Sequence, residues 1–248
     1  MAKSGKLLDF FIYSQDILPL ESIKDCLSCY LGHDNQSNVS YWGVDVASRS
    51  EIVQQVEKVG SFVDPRPAAF DLNDFESSVF AQAKAVLDWN QRYIYCPACG
   101  TRTESDDVGY KRKCGNKSCI SHSTTQNYSH VRTDAVAIIN VISPDGQKIL
   151  LGRQKQWPPL RYSCIAGFLE TGESLEEAAS REVLEEAGVS VKDIKYHSSQ
   201  PWPFPSQLML GCHATATTTE INTSTRDKEL EGIFYLPKVQ HYSRCQVV

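Results

Sequence analysis

The apolar residues follow two different periods along the chain, and the change of period indicates separate structural parts. In residues 1–73, short apolar runs such as Phe10–Tyr13 and Tyr41–Val44 are separated by polar turns, which predicts a small β-rich N-terminal domain. In residues 74–93, apolar positions recur at a helical spacing, which predicts a connecting helix. These positions are Phe75, Val79, Ala83, Val86 and Leu87.

A second domain is predicted over residues 128–248, after a cysteine-containing segment at 94–127. Residues 135–142 and 148–153 have the character of two strands around the turn Pro144-Asp145-Gly146, which predicts a β-hairpin.

The sequence after residue 167 predicts a glycine-bearing loop and then a helix. Ser174 is the expected N-cap, Glu177 completes a capping box, and Gly188 supplies the left-handed residue that ends the helix. Apolar residues at helical spacing form a face that can pack on a sheet. They are Leu175, Ala178, Ala179, Val183 and Ala187.

Length and composition restrict the class of protein. With 248 residues, 41% hydrophobic and 22% charged, the chain can bury a core, and about two domains are expected at this length. The net charge of −5 argues against a protein that mainly coats a polyanion such as duplex DNA. The opening apolar segment, Leu7–Tyr13, is short and is interrupted by Asp9, so we expect a strand there and neither a signal peptide nor a membrane span.

Four of the nine cysteines have the spacing of a metal site. Cys96 and Cys99 form one close pair; Cys114 follows after fourteen residues, and four more precede Cys119. Two close pairs on turns suit a closed tetrahedral thiolate site for Zn²⁺, which would be structural because four sulfurs leave no open position. Disulfides or unrelated thiols are the alternative, and they are disfavoured because no secretory signal precedes the cysteines and a reducing, cytoplasmic compartment is expected.

Two other features of the sequence give weaker indications of function. Cys26 and Cys29 form a lone C-x-x-C, for which buried or incidental thiols are the favoured interpretation. The basic run Lys111-Arg112-Lys113 lies within the predicted zinc ribbon. It is interpreted as a solvated strand edge, with contact to RNA as the alternative.

Three glutamates on the second helix give the strongest indication of chemistry. At positions i, i+3 and i+4, Glu182, Glu185 and Glu186 share one face, where like charges cost about 0.2–0.5 kcal/mol per pair. A divalent cation between them would remove this cost, whereas a solvated acidic face is the plain alternative. That alternative leaves the offsets of Gly167 and Glu173 in the preceding loop unexplained.

The complete pattern over Gly167–Val189, Gly-x5-Glu-x7-Arg-Glu-apolar-x-Glu-Glu-x-Gly-apolar, resembles the Nudix box of the Nudix hydrolases. The resemblance implies an α/β/α sandwich with a mixed sheet, and hydrolysis of nucleoside diphosphates linked to another group. It also implies Mg²⁺ or Mn²⁺ as cofactor, bound by Glu182, Glu186 and the carbonyl of Ala166. Glu185 either binds a second ion or helps to orient the attacking water.

The same resemblance implies supporting roles for other residues. Arg181 is expected to hold the glutamates in place, and Glu229 is expected to join the metal site, with Glu231 as the alternative if the register is shifted. The catalytic residues are expected among the three helix glutamates, and which carboxylate is the general base stays open.

The segment Ser199–Met209 contains alternating prolines, which forbid a helix and set Trp202 and Phe204 on a stiff extended loop that can wall a pocket. It resembles the S-Q-P-W-P-F-P-x-S array of the NADH pyrophosphatase branch of the Nudix family, with Gln207 in place of the final serine. That branch also carries a four-cysteine zinc ribbon and, before it, a helix that ends in tryptophan, here Trp89. All these features occur in this chain in the same order.

Resemblance to this branch implies hydrolysis of NADH or NAD⁺ to nicotinamide mononucleotide and AMP, usually by a homodimer. The nicotinamide ring is then expected between Phe168 and Tyr128, contributed by different subunits, because aromatic stacking suits a flat base. Ala166, Gly167 and Gln200 complete the expected substrate-binding set.

The same resemblance leaves two alternative functions. The first is removal of NAD caps from RNA, and the second is that of a catalytically weak module that binds NAD(H). The second is motivated by the C-terminal part of the chain, since family members continue past Leu236-Pro237 into a helix, whereas this sequence has a polar tail there. The expected location is cytoplasmic, with a peroxisomal location as the alternative although no C-terminal peroxisomal signal is seen. No membrane partner is expected.

Overall fold

The computed structural model describes residues 10–12, 20–123, 128–222 and 230–237. The chain divides into two compact units. The N-terminal unit comprises Met1–Arg132 and Trp202–Ser206, and the C-terminal unit comprises Thr133–Pro201 and Gln207–Val248.

Within its described residues, the N-terminal unit contains two three-stranded sheets and one long helix. The elements in chain order are β1 (Phe10–Ile12), α1 (Leu20–Ile23), β2 (Ser28–Asp34), β3 (Val39–Asp45), α2 (Ser50–Val56), α3 (Pro65–Ala68), α4 (Asp74–Arg92), β4 (Thr103–Asp106), β5 (Lys111–Cys114) and β6 (Tyr128–His130). The sheets have the strand orders β1-β3-β2 and β4-β5-β6.

The first of these sheets packs against α4. Ala83 and Leu87 of the helix share a buried apolar cluster with Cys29 of β2. Gly43 of β3 permits this close packing, because a Cβ atom there would lie 3.2 Å from the Cβ of Ala83. Cys29 is fully buried, and burial raises the pKa of its thiol to about 12. The interpretation of the lone C-x-x-C as buried thiols is confirmed for Cys29.

Helix α4 begins and ends within one residue of its predicted bounds. Asn73 caps it and forms a capping box with Glu76, a local signal that adds to the apolar spacing. Its buried face differs from the predicted apolar face, because Phe75 is 51% exposed while Lys84 is fully buried. The Lys84 Nζ lies 3.7 Å from the carboxylate of Asp88, so the helix buries a charged pair as well as apolar side chains.

The basic run is not a solvated strand edge, so that interpretation was wrong. It lies on β5, the central strand of the sheet β4-β5-β6, and Arg112 is buried. Arg112 donates hydrogen bonds of 2.8 Å to the side-chain oxygen of Asn90 on α4 and to Thr103 on β4. Lys111 and Lys113 form ion pairs with acidic residues that precede β5 in the sequence. Arg112 therefore connects β5 to β4 and to α4 within the N-terminal unit.

The C-terminal unit is built on a mixed sheet, which in the described residues has six strands. The elements are β7 (Asp134–Ile142), β8 (Lys148–Gln154), β9 (Ile165–Phe168), α5 (Leu175–Ala187), β10 (Val191–Trp202), β11 (Gln207–Ala216) and β12 (Leu230–Pro237). The strand order is β10-β11-β7-β8-β12, and β9 pairs with β7 beside this path. β7 runs parallel to β11 and antiparallel to β8 and β9.

Helix α5 packs on one face of this sheet, as its apolar face predicts. Its buried residues Ala178 and Val183 share a core with Ile139 of β7, Ile165 of β9 and Cys212 of β11. The predicted hairpin is confirmed, since β7 and β8 pair antiparallel on either side of the predicted turn. The α/β class and the mixed sheet are likewise confirmed.

None of the helices formed by the described residues combines the length and the apolar composition that crossing a membrane requires.

Candidate functional site

The loop between β9 and α5 brings the start of the glutamate motif against its helix. β9 is fixed by antiparallel pairing with β7, in which Gly167 lies opposite Ala137. Helix α5 starts at the capping box formed by Ser174 and Glu177, and it ends at Gly188, whose φ of 66° is left-handed. The predicted caps are therefore confirmed.

The carboxyl group of Glu182 lies directly over the backbone of Gly167. A Cβ atom built on Gly167 would lie 1.9 Å from the Cδ of Glu182, closer than two non-bonded atoms can come. Any larger residue here would push the Glu182 carboxylate away, so glycine lets the strand and the helix carboxylate approach each other. The Glu182 side chain is only 13% exposed, and this burial raises the pKa of its carboxyl group, although Arg181 opposes the shift.

Arg181 is the centre of a hydrogen-bond network that ties the loop to the helix. Its Nε and Nη2 donate to the two carboxylate oxygens of Glu173, at 2.6 and 2.8 Å. Its Nη1 donates to Glu182 at 2.7 Å and to Glu185 at 3.1 Å, and its Nη2 also donates to the carbonyl of Phe168 at 2.9 Å. One guanidinium therefore holds two helix glutamates beside each other, as expected for this arginine.

The charges of this cluster do not balance. One guanidinium faces the three carboxylates of Glu173, Glu182 and Glu185. Such a surplus of negative charge on one face is unfavourable unless a cation joins it. Oxygen ligands of this kind are those that Mg²⁺ and Mn²⁺ prefer, so the donor set fits a hard divalent cation.

The three helix glutamates converge less closely than the cysteines do. Among the described residues, only the four cysteines form a group of three or more potential ligands whose donor atoms all lie within 4.8 Å. Glu182 and Glu185 are bridged by Arg181 instead, and the Glu185 side chain is 39% exposed.

Replacing Gly167 by alanine tests the close approach of the strand and Glu182. The added methyl group is expected to displace the Glu182 carboxylate and to weaken Mn²⁺ binding at least about tenfold, as loss of a precisely oriented metal ligand does. Binding of Mn²⁺ can be measured by electron paramagnetic resonance. Gly60→Ala is the matched control, because the nearest atom to a Cβ there is 4.0 Å away. Equal Mn²⁺ affinities of the two variants would contradict the argument.

The pH dependence of stability tests the pair of Glu173 and Arg181. The hydrogen bonds from Arg181 lower the pKa of Glu173 from 4.5 to about 2. Since the folded state favours the ionised carboxylate, this pair stabilises the fold fully above about pH 4.5, and the stabilisation is lost as the pH falls towards 2. We expect Glu173→Gln to lower Tm near neutral pH, and we expect its Tm to converge with the wild-type value near pH 2.

Thermal unfolding followed by circular dichroism at a series of pH values measures this effect. Glu170→Gln is the control, since Glu170 is an exposed glutamate of the same loop and its side chain is not in the Arg181 network. A Tm difference between wild type and Glu173→Gln that stays constant down to pH 2 would show that the pair does not act through charge.

The structure places the expected substrate residues in both units. Phe168 follows Gly167 at the end of β9, with its side chain 52% exposed, and Ala166 lies on the same strand. Gln200 is exposed on β10. Trp202 and Phe204 belong to the segment that packs in the N-terminal unit.

Three predictions about individual residues have different outcomes. Glu229, the expected additional metal ligand, and the side chain of Tyr128 lie outside what the structure describes. Glu231, the alternative register, forms an ion pair with Arg153 on the neighbouring strand β8.

The proline-aromatic segment is less extended than predicted. Pro201 and Trp202 still belong to strand β10, and a turn then leads to Gln207, the first residue of β11. The alternating prolines exclude a helix, as expected, but they do not exclude the end of a strand.

The predicted gathering of the four cysteines is confirmed. The Sγ atoms of Cys96 and Cys119 are 3.8 Å apart, and those of Cys99 and Cys114 are 3.6 Å apart. Four sulfurs at about 2.3 Å from one central ion would be about 3.8 Å apart, so the cluster has the dimensions of a tetrahedral thiolate site. A disulfide would need about 2.05 Å and is excluded for these two pairs.

Local hydrogen bonds support the turns and the sulfur atoms of this cluster. The first turn is closed by a hydrogen bond of 2.8 Å from the N–H of Gly100 to the carbonyl of Cys96. Hydrogen bonds from Thr101 lower the pKa of Cys99 to about 6, which favours the thiolate that metals bind, whereas burial raises the pKa of Cys114 to about 12. The hydroxyl of Ser121 donates to the Sγ of Cys119 at 3.1 Å.

Two features of the site were not predicted from the sequence. The contact between Gly167 and Glu182 is not local, although the presence of a glycine at the start of the motif was a signal for a close approach. The packing of Phe204 against Arg66 and Phe80 left no signal, because those residues lie more than a hundred positions away in the sequence.

Comparisons with known proteins agree with this description. Residues 131–241 match the family model described as a NUDIX domain, and residues 10–89 match the one described as an NADH pyrophosphatase-like rudimentary NUDIX domain. The chain is 43% identical over 213 residues to the NAD-capped RNA hydrolase NUDT12 of Homo sapiens, covering 84% of this chain and 46% of that protein. It is 36% identical over 207 residues to the mitochondrial NAD(P)H pyrophosphatase NUDT13 of Homo sapiens, covering 82% of this chain and 54% of that protein.

The chain spans about half the length of the curated relatives it matches. Among solved structures, a NUDIX hydrolase from Nitrosomonas europaea matches with a TM-score of 0.43 and 21% identity, over 58% of this chain and 77% of that one.

Proposed function

The chain belongs to the Nudix family, and from this premise we propose that it hydrolyses the pyrophosphate bond of NADH and NAD⁺, giving nicotinamide mononucleotide and AMP. One structural observation carries the proposal. The largely buried carboxylate of Glu182 lies against Gly167 and beside Glu185, and Arg181 holds both glutamates while negative charge remains in surplus. A solvated acidic helix face would not need this arrangement.

The pyrophosphate bond resists water because its anionic oxygens repel a nucleophile. Glu182 and Glu186, with the carbonyl of Ala166, are the proposed ligands of Mg²⁺ or Mn²⁺. A cation held there would supply neutralisation of the phosphate oxygens and a lowered pKa for the attacking water. Arg181 keeps Glu182 and Glu185 in place, and Glu185 either orients the water or holds a second ion.

The substrate is proposed from the branch to which the chain is similar. The exposed ring of Phe168, next to Gly167, is placed to stack on a nicotinamide ring, and Tyr128 of the second subunit in a homodimer is proposed for its other face. Gln200, Trp202 and Phe204 are proposed as further substrate contacts. Glu229 is proposed as an additional metal ligand.

For the four-cysteine cluster we propose structural Zn²⁺. The support is the tetrahedral spacing of the sulfurs, the buried state of three of the four cysteines and the absence of an open position for a substrate. A reducing compartment such as the cytoplasm keeps these thiols available for the metal.

The proposed activity is tested by incubating the chain with NADH and Mn²⁺ and separating the products by liquid chromatography. Equal amounts of reduced nicotinamide mononucleotide and AMP are expected. Calorimetry in parallel distinguishes an enzyme from a binding module, because tight NADH binding without product release would favour the module and reject the proposed activity.

Removal of NAD caps from RNA is the second candidate, since the name of the human relative NUDT12 describes that reaction. The chemistry at the bond is the same, so the difference lies in contacts with the RNA chain. The basic run at 111–113 is a poor candidate for such contacts, because Arg112 is buried and both lysines are paired with carboxylates. Comparing kcat/KM on NADH and on NAD-capped RNA decides between the substrates.

A further inference from the structure

The aromatic segment Trp202–Ser206 is held by the N-terminal unit, although the strands on both sides of it belong to the C-terminal unit. Trp202 ends β10 and Gln207 begins β11, so the segment is covalently tied to two neighbouring strands. Within the segment, the rings of Trp202 and Phe204 pack edge to face at a centroid distance of 5.1 Å. Any residue that fixes Phe204 therefore also restricts Trp202.

Arg66 covers one side of Phe204. Its guanidinium carbon lies 5.1 Å from the centroid of the Phe204 ring, within the range of a cation–π contact. The backbone N–H of Arg66 donates to the side chain of Asp64, which caps the short helix α3. The base of the arginine is thus held where its guanidinium reaches the ring.

Phe80 of α4 supplies a second contact to the same ring. The centroids of Phe80 and Phe204 are 6.4 Å apart, with the ring planes tilted by 45°. Lys84, one turn further along the helix, is fully buried, and Pro203, between the two aromatic residues of the segment, is also buried. The segment therefore lies on a packed surface, and its aromatic rings are restrained from more than one direction.

We infer that Arg66 and Phe80 are positioning residues, which hold Phe204 and thereby fix the aromatic side chains that the segment offers to the substrate. This inference rests on the proposed function, in which Trp202 and Phe204 contact the dinucleotide. It assigns a role in substrate recognition to the rudimentary domain at residues 10–89, which contains both positioning residues.

The kinetic test uses Arg66→Met and Phe80→Leu, each with a matched control. The control for Arg66→Met is Arg49→Met, because Arg49 is paired with Glu51 on the surface. The control for Phe80→Leu is Phe75→Leu, because Phe75 lies on the same helix as Phe80 but its ring packs against Tyr41 of β3. We expect the KM for NADH to rise about threefold for Arg66→Met and about fivefold for Phe80→Leu, with kcat changed less than twofold. Arg66→Lys should restore most of the loss because it retains the cation.

A double-variant cycle tests whether Arg66 acts through Phe204. In a Phe204→Leu background, Arg66→Met should have no further effect on KM. The inference would be overturned if the KM values of Arg66→Met and Phe80→Leu did not differ from those of their controls. It would also be overturned if Arg66→Met raised KM by the same factor in the Phe204→Leu background as in the wild type.

A spectroscopic test separates this inference from the proposed function. The chain is labelled with 5-fluorotryptophan, and the ¹⁹F signal of Trp202 is assigned by its loss in Trp202→Phe. Arg66→Met and Phe80→Leu should shift or broaden this signal, whereas the two controls should not.

An unmoved signal refutes the inference whether or not the chain hydrolyses NADH. Failure of the wild-type chain to turn over NADH refutes the proposed function alone. A moved signal with an unchanged KM shows a restrained segment without a positioning role and also overturns the inference.

Discussion

Replacing Glu186 by glutamine is expected to lower kcat for NADH hydrolysis in Mn²⁺ by about a thousandfold, the size of effect seen when one essential electrostatic contact of an active site is removed. Glutamine has nearly the same shape and helix propensity as glutamate, so α5 should remain intact. It lacks the negative charge, however, and it is a poorer ligand for a hard divalent cation. Initial rates at saturating NADH, with Mn²⁺ titrated over a wide range, measure the loss.

Glu176→Gln is the matched control for this variant. Glu176 lies in the first turn of the same helix, and its side chain is exposed. The two variants therefore change the same charge on the same helix at different positions. Direct Mn²⁺ binding, followed by electron paramagnetic resonance, should weaken in Glu186→Gln and not in Glu176→Gln. Wild-type turnover in Glu186→Gln would reject the metal-ligand assignment.

The helix that carries these glutamates could be predicted from the sequence because its signals are local. Ser174, Glu177 and Gly188 determine its ends through contacts within a few residues, and the structure shows the caps where they were predicted. The apolar spacing on the inner face then determines which side packs on the sheet. Local signals of this kind need no knowledge of the rest of the fold.

Burial of charged residues could not be predicted in the same way. Lys84 and Arg112 are buried, although helical and strand patterns alone favour their exposure. Arg112 is stabilised by Asn90 and Thr103, which approach it only after the strands and α4 have packed. The pattern gives the hydrophobicity of a position, whereas the cost of burying a charge is decided by partners that are distant in sequence.

The candidate site shows the same division. The motif identifies Glu182 and Arg181 by spacing alone, but the contact of Glu182 with Gly167 depends on where β9 lies beside α5. The proline-aromatic segment identifies Phe204, whereas its contacts with Arg66 and Phe80 depend on the N-terminal unit. Sequence therefore predicts the chemical groups of the site better than it predicts the residues that support them.

Replacing Cys114 by serine is expected to remove the zinc ion proposed for the cysteine cluster and to lower the Tm of the chain by at least about 10 °C. The Sγ of Cys114 is buried and lies 3.6 Å from that of Cys99, so its thiolate is one of four convergent ligands. Binding of structural zinc contributes about 10–16 kcal/mol in small zinc domains, and much of this free energy is lost with one ligand. Since about 1 kcal/mol shifts Tm by about 2–4 °C for a chain of this size, the loss should be large.

Zinc content by atomic absorption and Tm by calorimetry together test this prediction. The wild-type chain should contain one zinc ion at the four cysteines, and removal of that ion with a chelator should reproduce the Tm of Cys114→Ser. Cys26→Ser is the matched control, because Cys26 is half-buried in the same unit and lies outside the cluster. If Cys114→Ser retained both the metal and the wild-type Tm, the sulfurs would be neighbours through packing alone, and the tetrahedral spacing would no longer support a zinc site.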